Sequence, residues 1–92
     1  MRNYEAVFIF RTEADAYNGG LEKVKEALKK AGANIVKEDD MGDRELAYQI
    51  KKESRGHYYF FELELTPDVI VKIESDIKLF NEVLKFMIIK KD

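Results

Sequence analysis

No cysteine occurs among the 92 residues, and histidine occurs once, as His57. Disulfides, thiolate zinc sites, iron–sulfur clusters and cysteine nucleophiles are excluded together, as is any metal site built on two histidines. Serine is confined to Ser54 and Ser75, so nucleophile–base pairs are nearly absent as well. Neither the phosphate-loop nor the dinucleotide glycine fingerprint is present. Long apolar runs are missing too. The longest is Ala6–Phe10, far short of the ~20 residues that span a bilayer and without the features of a secretory leader. An excess of one charge is the last absence: 16 basic against 18 acidic residues give −2, so there is no global basic field for nucleic acid. What remains is 46% apolar residues, enough to bury one core. The expectation is one domain over residues 1–92, cytoplasmic, with no membrane association.

Residues Asn3–Arg11 read as the first strand. Ala6-Val7-Phe8-Ile9-Phe10 is apolar on both parities, the pattern of a central strand covered on both faces. Leu21, Val24, Leu28 and Ala31 then mark one helical face. Gly19-Gly20 costs about 1 kcal/mol per residue in a helix interior, so the firm helix is expected to begin near Asn18. Gly32 stands where a left-handed C′ residue belongs. A second strand region runs from Asn34 to about Lys52, interrupted by the acidic Glu38-Asp39-Asp40, read as solvated loop, and bent at Gly42. Leu46, Tyr48 and Ile50 share one face there, with Tyr48 expected in the core. Glu53–Gly56 is expected to turn the chain into a third strand, His57–Leu65, with Tyr59, Phe61, Leu63 and Leu65 inward. Thr66 is the expected N-cap of a second helix with Pro67 at N1, and Thr66→Ala should cost about 1 kcal/mol. Ile70, Ile73, Ile77 and Phe80 mark its buried stripe, and Val83–Lys90 closes the chain as a fourth strand. The order βαββαβ implies an α+β, ferredoxin-like sandwich: a four-stranded antiparallel sheet with both helices on one face.

The opposite sheet face then lies open. By parity it carries Val7 and Ile9 from the first strand, Tyr58 and Phe60 from the third, and Met87 and Ile89 from the fourth. A contiguous apolar patch on a free face marks a partner surface or a self-association surface. The same topology carries RNA-recognition motifs, but Arg55-Gly56-His57-Tyr58-Tyr59-Phe60-Phe61-Glu62 keeps only the basic-Gly start of their third-strand pattern. Catalysis has little support, because His57 stands beside a glycine with no partner for acid–base work. No catalytic residue, metal ligand or cofactor is expected. A ferredoxin-like regulatory domain would need a convergent polar pocket, and the sequence offers none.

Met1-Arg2-Asn3-Tyr4-Glu5, the block Gly42-Asp43-Arg44-Glu45-Leu46-Ala47-Tyr48-Gln49-Ile50-Lys51-Lys52, Arg55-Gly56-His57-Tyr58 and Val83-Leu84-Lys85-Phe86-Met87-Ile88-Ile89-Lys90 together resemble the bacterial small-subunit ribosomal protein S6 family, over essentially the whole chain. The resemblance implies a non-enzymatic, ribosome-bound protein that binds the central domain of 16S ribosomal RNA together with ribosomal protein S18. It makes Arg2, Tyr4, Arg44 and Lys52 the expected RNA-side residues. Phe80 and Leu84 stand where the family often has cations, which shifts part of the RNA contact to Lys78 and Lys85. The chain ends at Asp92 without the tail that many relatives lay on their partner, so contact with S18 is expected to rest on the strands. Near-zero net charge then means that a basic partner supplies much of the field.

Overall fold

The computed structural model describes residues 1–91. The chain forms β1 (Arg2–Phe10), α1 (Ala14–Lys30), β2 (Asn34–Ile50), β3 (Glu53–Leu65), a 3-10 turn (Pro67–Val69), α2 (Ile70–Ile77) and β4 (Val83–Lys91). The four strands make one sheet in the order β2-β3-β1-β4, with every neighbouring pair antiparallel. This is the ferredoxin-like arrangement expected from the element order, and β1 is central, as its two-sided apolar run requires.

One face of the sheet and the two helices enclose the main core. Ala6, Phe8 and Phe10 of β1 meet Tyr59, Phe61, Leu63 and Leu65 of β3, under Val24 and Leu28 of α1 and Ile73 and Ile77 of α2. Phe8 lies at its centre, edge-on to Phe61 with ring centroids 5.6 Å apart and stacked on Phe86 at 5.9 Å. Aromatic pairs at these separations add roughly 0.5–1.5 kcal/mol beyond their burial.

Helix α1 starts four residues earlier than its glycines implied, at Ala14 rather than Asn18. Tertiary packing outweighs propensity here. Gly20 is buried, and a Cβ on it would sit 2.7 Å from Glu82 Cβ and 2.9 Å from Phe10 Cδ1. Only a glycine lets the helix approach β1 and the residue preceding β4 this closely. Gly20→Ala is therefore predicted to destabilise the protein by about 1–2 kcal/mol, because overpacking costs more than the helix propensity it recovers. A urea melt showing a stabilised variant would contradict this. At the other end Gly32 has φ +82°. Its N–H bonds Lys29 O and the Ala33 N–H bonds Leu28 O, a Schellman motif that satisfies two otherwise orphaned carbonyls.

Three further expectations need correction. The turn between β2 and β3 is Lys51-Lys52, with φ of 50° and 67°, and not Glu53–Gly56. Ile50 pairs with Glu53 across a two-residue loop, and both loop residues take the left-handed conformation that matches strand twist. Gly56 instead lies within β3, where a Cβ would collide with Ile9 Cγ2. Glu38-Asp39-Asp40 is not a loop but part of a continuous β2: the carboxylates of Glu38 and Asp40 find partners, described below, while Asp39 is exposed. Thr66 has extended backbone ahead of Pro67 but makes no side-chain cap hydrogen bond, so the expected ~1 kcal/mol capping contribution has no physical carrier.

Candidate functional site

The open sheet face is smaller than parity alone implied. β1 and β4 pair Ile9 with Lys85 and Phe10 with Val83, which leaves Leu84 as an extra residue. The bulge sends Val83 into the main core and Leu84 into a second cluster with Ile9 and Leu46, against which Ile50 and Tyr58 pack. The pairing of β2 with β3 is irregular between Glu45 and Ile50. This lets the tip of the hairpin lie over the Ile9 end of the open face. Ile9 is consequently only 8% exposed, and its expected place in a docking patch is corrected: the chain's own Leu46 already covers it.

The rest of the patch is contiguous. Val7 lies between Phe60 on β3 and Met87 on β4, with Ile89 one pair further along. Met87 and Ile89 are 50% and 56% exposed, while Val7, Tyr58 and Phe60 are half-buried. Around this strip stand cations. The Arg44 guanidinium lies 5.8 Å from the Tyr58 ring centroid. Lys85 Nζ lies 5.9 Å from that of Tyr48 and donates to its hydroxyl at 3.4 Å. Tyr48 is thus no core residue: at 65% exposure it belongs to the surface at this end, because the irregular stretch of β2 breaks the parity that would have turned it inward.

Of the six expected RNA-side residues, Arg2, Arg44, Lys52, Lys78 and Lys85 are exposed. Tyr4 is only 6% exposed, within the main core, and its ring cannot serve as a contact surface; the alternation of β1 places it on the helix side with Ala6 and Phe8. Arg2 lies at the opposite end of β1 from Phe10, about 27 Å away at ~3.3 Å per residue. The structure brings the other four to one end, where the hairpin tip meets the α2–β4 junction. Lys78 and Lys85 line a cleft of about 440 Å³ there together with Lys51, a residue that sequence reasoning did not single out. Pairing sharpens the contrast. Arg11, Lys23, Lys25, Lys30, Lys72 and Lys91 all engage carboxylates. Among the described residues, Lys51, Lys52, Lys78, Lys85, Arg44 and Arg2 form no ion pair. Arg55, Lys29, Lys37 and Lys90 are likewise without a carboxylate partner, so of the ten unpaired basic residues six, Arg44, Lys51, Lys52, Arg55, Lys78 and Lys85, lie towards the hairpin-tip end, and Arg2, Lys29, Lys37 and Lys90 lie elsewhere.

His57 is occupied elsewhere. Nε2 lies 2.6 Å from Asp40 Oδ1 and Nδ1 lies 2.8 Å from Asp43 Oδ1, while its ring stacks on Tyr17 of α1 at 3.7 Å. The hydrogen bond with His57 holds the Asp40 carboxyl below its ordinary range. Burial, and then the Asp40 carboxylate, push the Tyr17 hydroxyl up to about 12. Nearby, Lys25 and then Tyr59 hydrogen-bond to Glu38 and lower it as well. These contacts tie α1 to the bulged part of β2, where Gly42, at φ +81°, donates its N–H to Asp40 Oδ1. Glu38, Asp40 and Asp43 form a structural fastening. Its signal in the sequence was the spacing of one histidine opposite several aspartates, legible only once the register of β2 and β3 is known. Among the described residues no helix is long and apolar enough to cross a membrane.

Comparison with known proteins agrees with this geometry. Residues 3–90 match the family model described as Ribosomal protein S6. The chain is 34% identical to the small ribosomal subunit protein bS6 of Treponema denticola, covering 98% of this chain and 97% of the relative. It is 39% identical to bS6 of Porphyromonas gingivalis, covering 100% of this chain and 80% of the relative. The crystal structure of 30S ribosomal protein S6 from Thermotoga maritima superimposes with a TM-score of 0.89 over 98% of this chain and 87% of that one, at 24% identity; that likeness speaks for the fold.

Proposed function

This chain belongs to the ribosomal protein S6 family, a non-enzymatic family of the bacterial small ribosomal subunit, and from that premise we propose that it binds the central domain of 16S ribosomal RNA together with ribosomal protein S18 during assembly. The observation that carries this reading is that most of the cations without an ion pair, contributed by separate segments of the chain, meet at one end. Arg44, Lys52, Lys78 and Lys85 gather at one end of the molecule, beside the apolar strip of Val7, Phe60, Met87 and Ile89 on the open sheet face. Phosphate contacts act locally, within a Debye length of roughly 8–10 Å, so a chain of net charge −2 can hold RNA through a few placed lysines. The apolar strip supplies the surface for S18, and the same strip supports self-association of the isolated protein. The chain acts as one unit over residues 1–92, in the cytoplasm, as part of the ribosome.

Affinity for RNA should depend on the partner. Titration of a central-domain 16S rRNA fragment with this protein alone is expected to show weak, strongly salt-dependent binding. Adding S18 should tighten it by at least about tenfold, a coupling of roughly 1.4 kcal/mol, within the ordinary range for linked binding. Equal affinities with and without S18 would refute the cooperative reading.

A further inference from the structure

The cleft at the hairpin tip has one cation too many to be explained by its own strand. From Leu79 to Leu84 the α2–β4 junction contains no lysine or arginine, so Lys78 and Lys85 flank a gap in positive charge. Lys51 reaches that gap from the other side. Its Nζ donates to the Val83 carbonyl at 3.0 Å, which fixes the ammonium against the middle of the junction. One of its three donors is used and two are left. We propose that Lys51, Lys78 and Lys85 form a seat for a backbone phosphate of RNA, with Lys51 as the cation that completes it; the proposal rests on the RNA-binding reading above and assigns it a place.

The seat is held in shape by contacts that do not involve the lysines. Arg11, just past the end of β1, donates from Nε to the Asn81 carbonyl at 2.9 Å and from a terminal nitrogen to Glu53 Oε2 at 3.2 Å. Its own N–H bonds the Glu82 carbonyl at 3.0 Å. Glu53 is the first residue after the Lys51-Lys52 turn, so Arg11 pins the hairpin tip to the junction. The left-handed conformation at Lys51 fixes the direction in which the chain leaves β2. The cost of ordering the tip is met within the fold, which leaves the site preorganised for its ligand.

The chemistry selects a phosphate oxygen. The three lysines are compact point charges that bind phosphate without demanding planar geometry. Ile77, Leu84 and Phe86 supply apolar walls, and Glu74 is the one carboxylate lining the cleft. The negative end of α2 is weakly unfavourable to an anion, and Lys78, at its C-cap, opposes that. The groove between α1 and α2 makes a useful contrast. It is of similar size, about 460 Å³, and also carries three lysines, Lys23, Lys30 and Lys72, but each is paired with a carboxylate. That groove is electrostatically closed, whereas the cleft at the tip is open.

The test is binding of the central-domain rRNA fragment in the presence of S18, measured over a range of salt concentrations. Lys51→Gln is expected to weaken binding about 3- to 10-fold at low salt and to flatten the dependence of log K on log salt by about 0.7–0.9, the loss of one phosphate contact. Lys51→Arg should restore most of both, which separates loss of charge from disturbance of the turn. Lys72→Gln should change neither. An unaltered salt slope in Lys51→Gln, with the unsubstituted protein binding normally, overturns the seat. A defect in Lys51→Gln that appears as weaker association with S18 in the absence of RNA overturns it too. If the unsubstituted protein fails to bind the fragment at all, the RNA-binding reading itself falls.

Discussion

Phe8→Ala is expected to lower the unfolding free energy by about 3–5 kcal/mol, a large part of the ~5–15 kcal/mol that holds a domain folded. Phe8 is fully buried, and its ring touches the aromatic system on three sides: Phe61 edge-on at 5.6 Å, Phe86 stacked at 5.9 Å and Phe10 at 6.2 Å. Removing it leaves a cavity at the crossing of β1, β3 and β4 that backbone movement cannot close, because all three strands are fixed by hydrogen bonds. The thermal midpoint should fall by roughly 15–30 °C, at about 4–8 °C per kcal/mol for a chain of this size. Phe8→Leu should recover more than half of the loss, since most of the volume returns. A Phe8→Ala loss below about 1.5 kcal/mol would mean that β1 is not the centre of the core.

Phe60→Glu is predicted to do the reverse, leaving the fold nearly intact while disabling association. Phe60 lies on β3 just before Phe61, yet its side chain faces the open side, between Asp39 and Val7, and is half-buried. A carboxylate there stays hydrated, and its repulsion from Asp39 costs only a few tenths of a kcal/mol. In a complex with S18 it would be buried without a partner. The expected penalty is at least about 2 kcal/mol, or roughly 30-fold in affinity, the size typical of a central aromatic anchor. Calorimetry of the isolated protein and its titration with S18 together decide the matter. A drop in the melting temperature above about 10 °C would make Phe60 a core residue. Unchanged affinity for S18 would move the partner off this face.

These two predictions differ because adjacent residues of β3 point to opposite sides, and that alternation was legible from the sequence. Tyr59, Phe61, Leu63 and Leu65 are inward as their spacing required, and so are Ile73 and Ile77 in α2. The family is legible as well, because the block from Gly42 to Lys52 is a local signature that does not depend on packing. The failures have separate causes. Tyr48 faces out because the pairing of β2 with β3 is irregular between Glu45 and Ile50; Ile9 keeps its open-face parity but is covered by Leu46 and by Leu84 of the bulge; and the turn falls at Lys51-Lys52, two left-handed residues without the glycine that would announce them.

What the sequence by itself determined is therefore the element order, the inward faces of β1, β3 and α2, the exclusion of thiol and two-histidine chemistry, and membership of the family. These depend on composition and on short-range periodicity, which each segment carries alone. The tertiary structure decided which charges are free. The chain has 16 basic residues, and nothing in their local context distinguishes Lys23, held by Glu82 at 2.7 Å, from Lys51, which meets a carbonyl across the hairpin. A carboxylate neutralises a lysine only within a few ångströms, and those distances are set by the pairing of strands far apart in the sequence. The net charge of −2 consequently says little about RNA. The meeting of Lys51, Lys78 and Lys85 in one cleft, produced by the strand register and an arginine clamp, says much more.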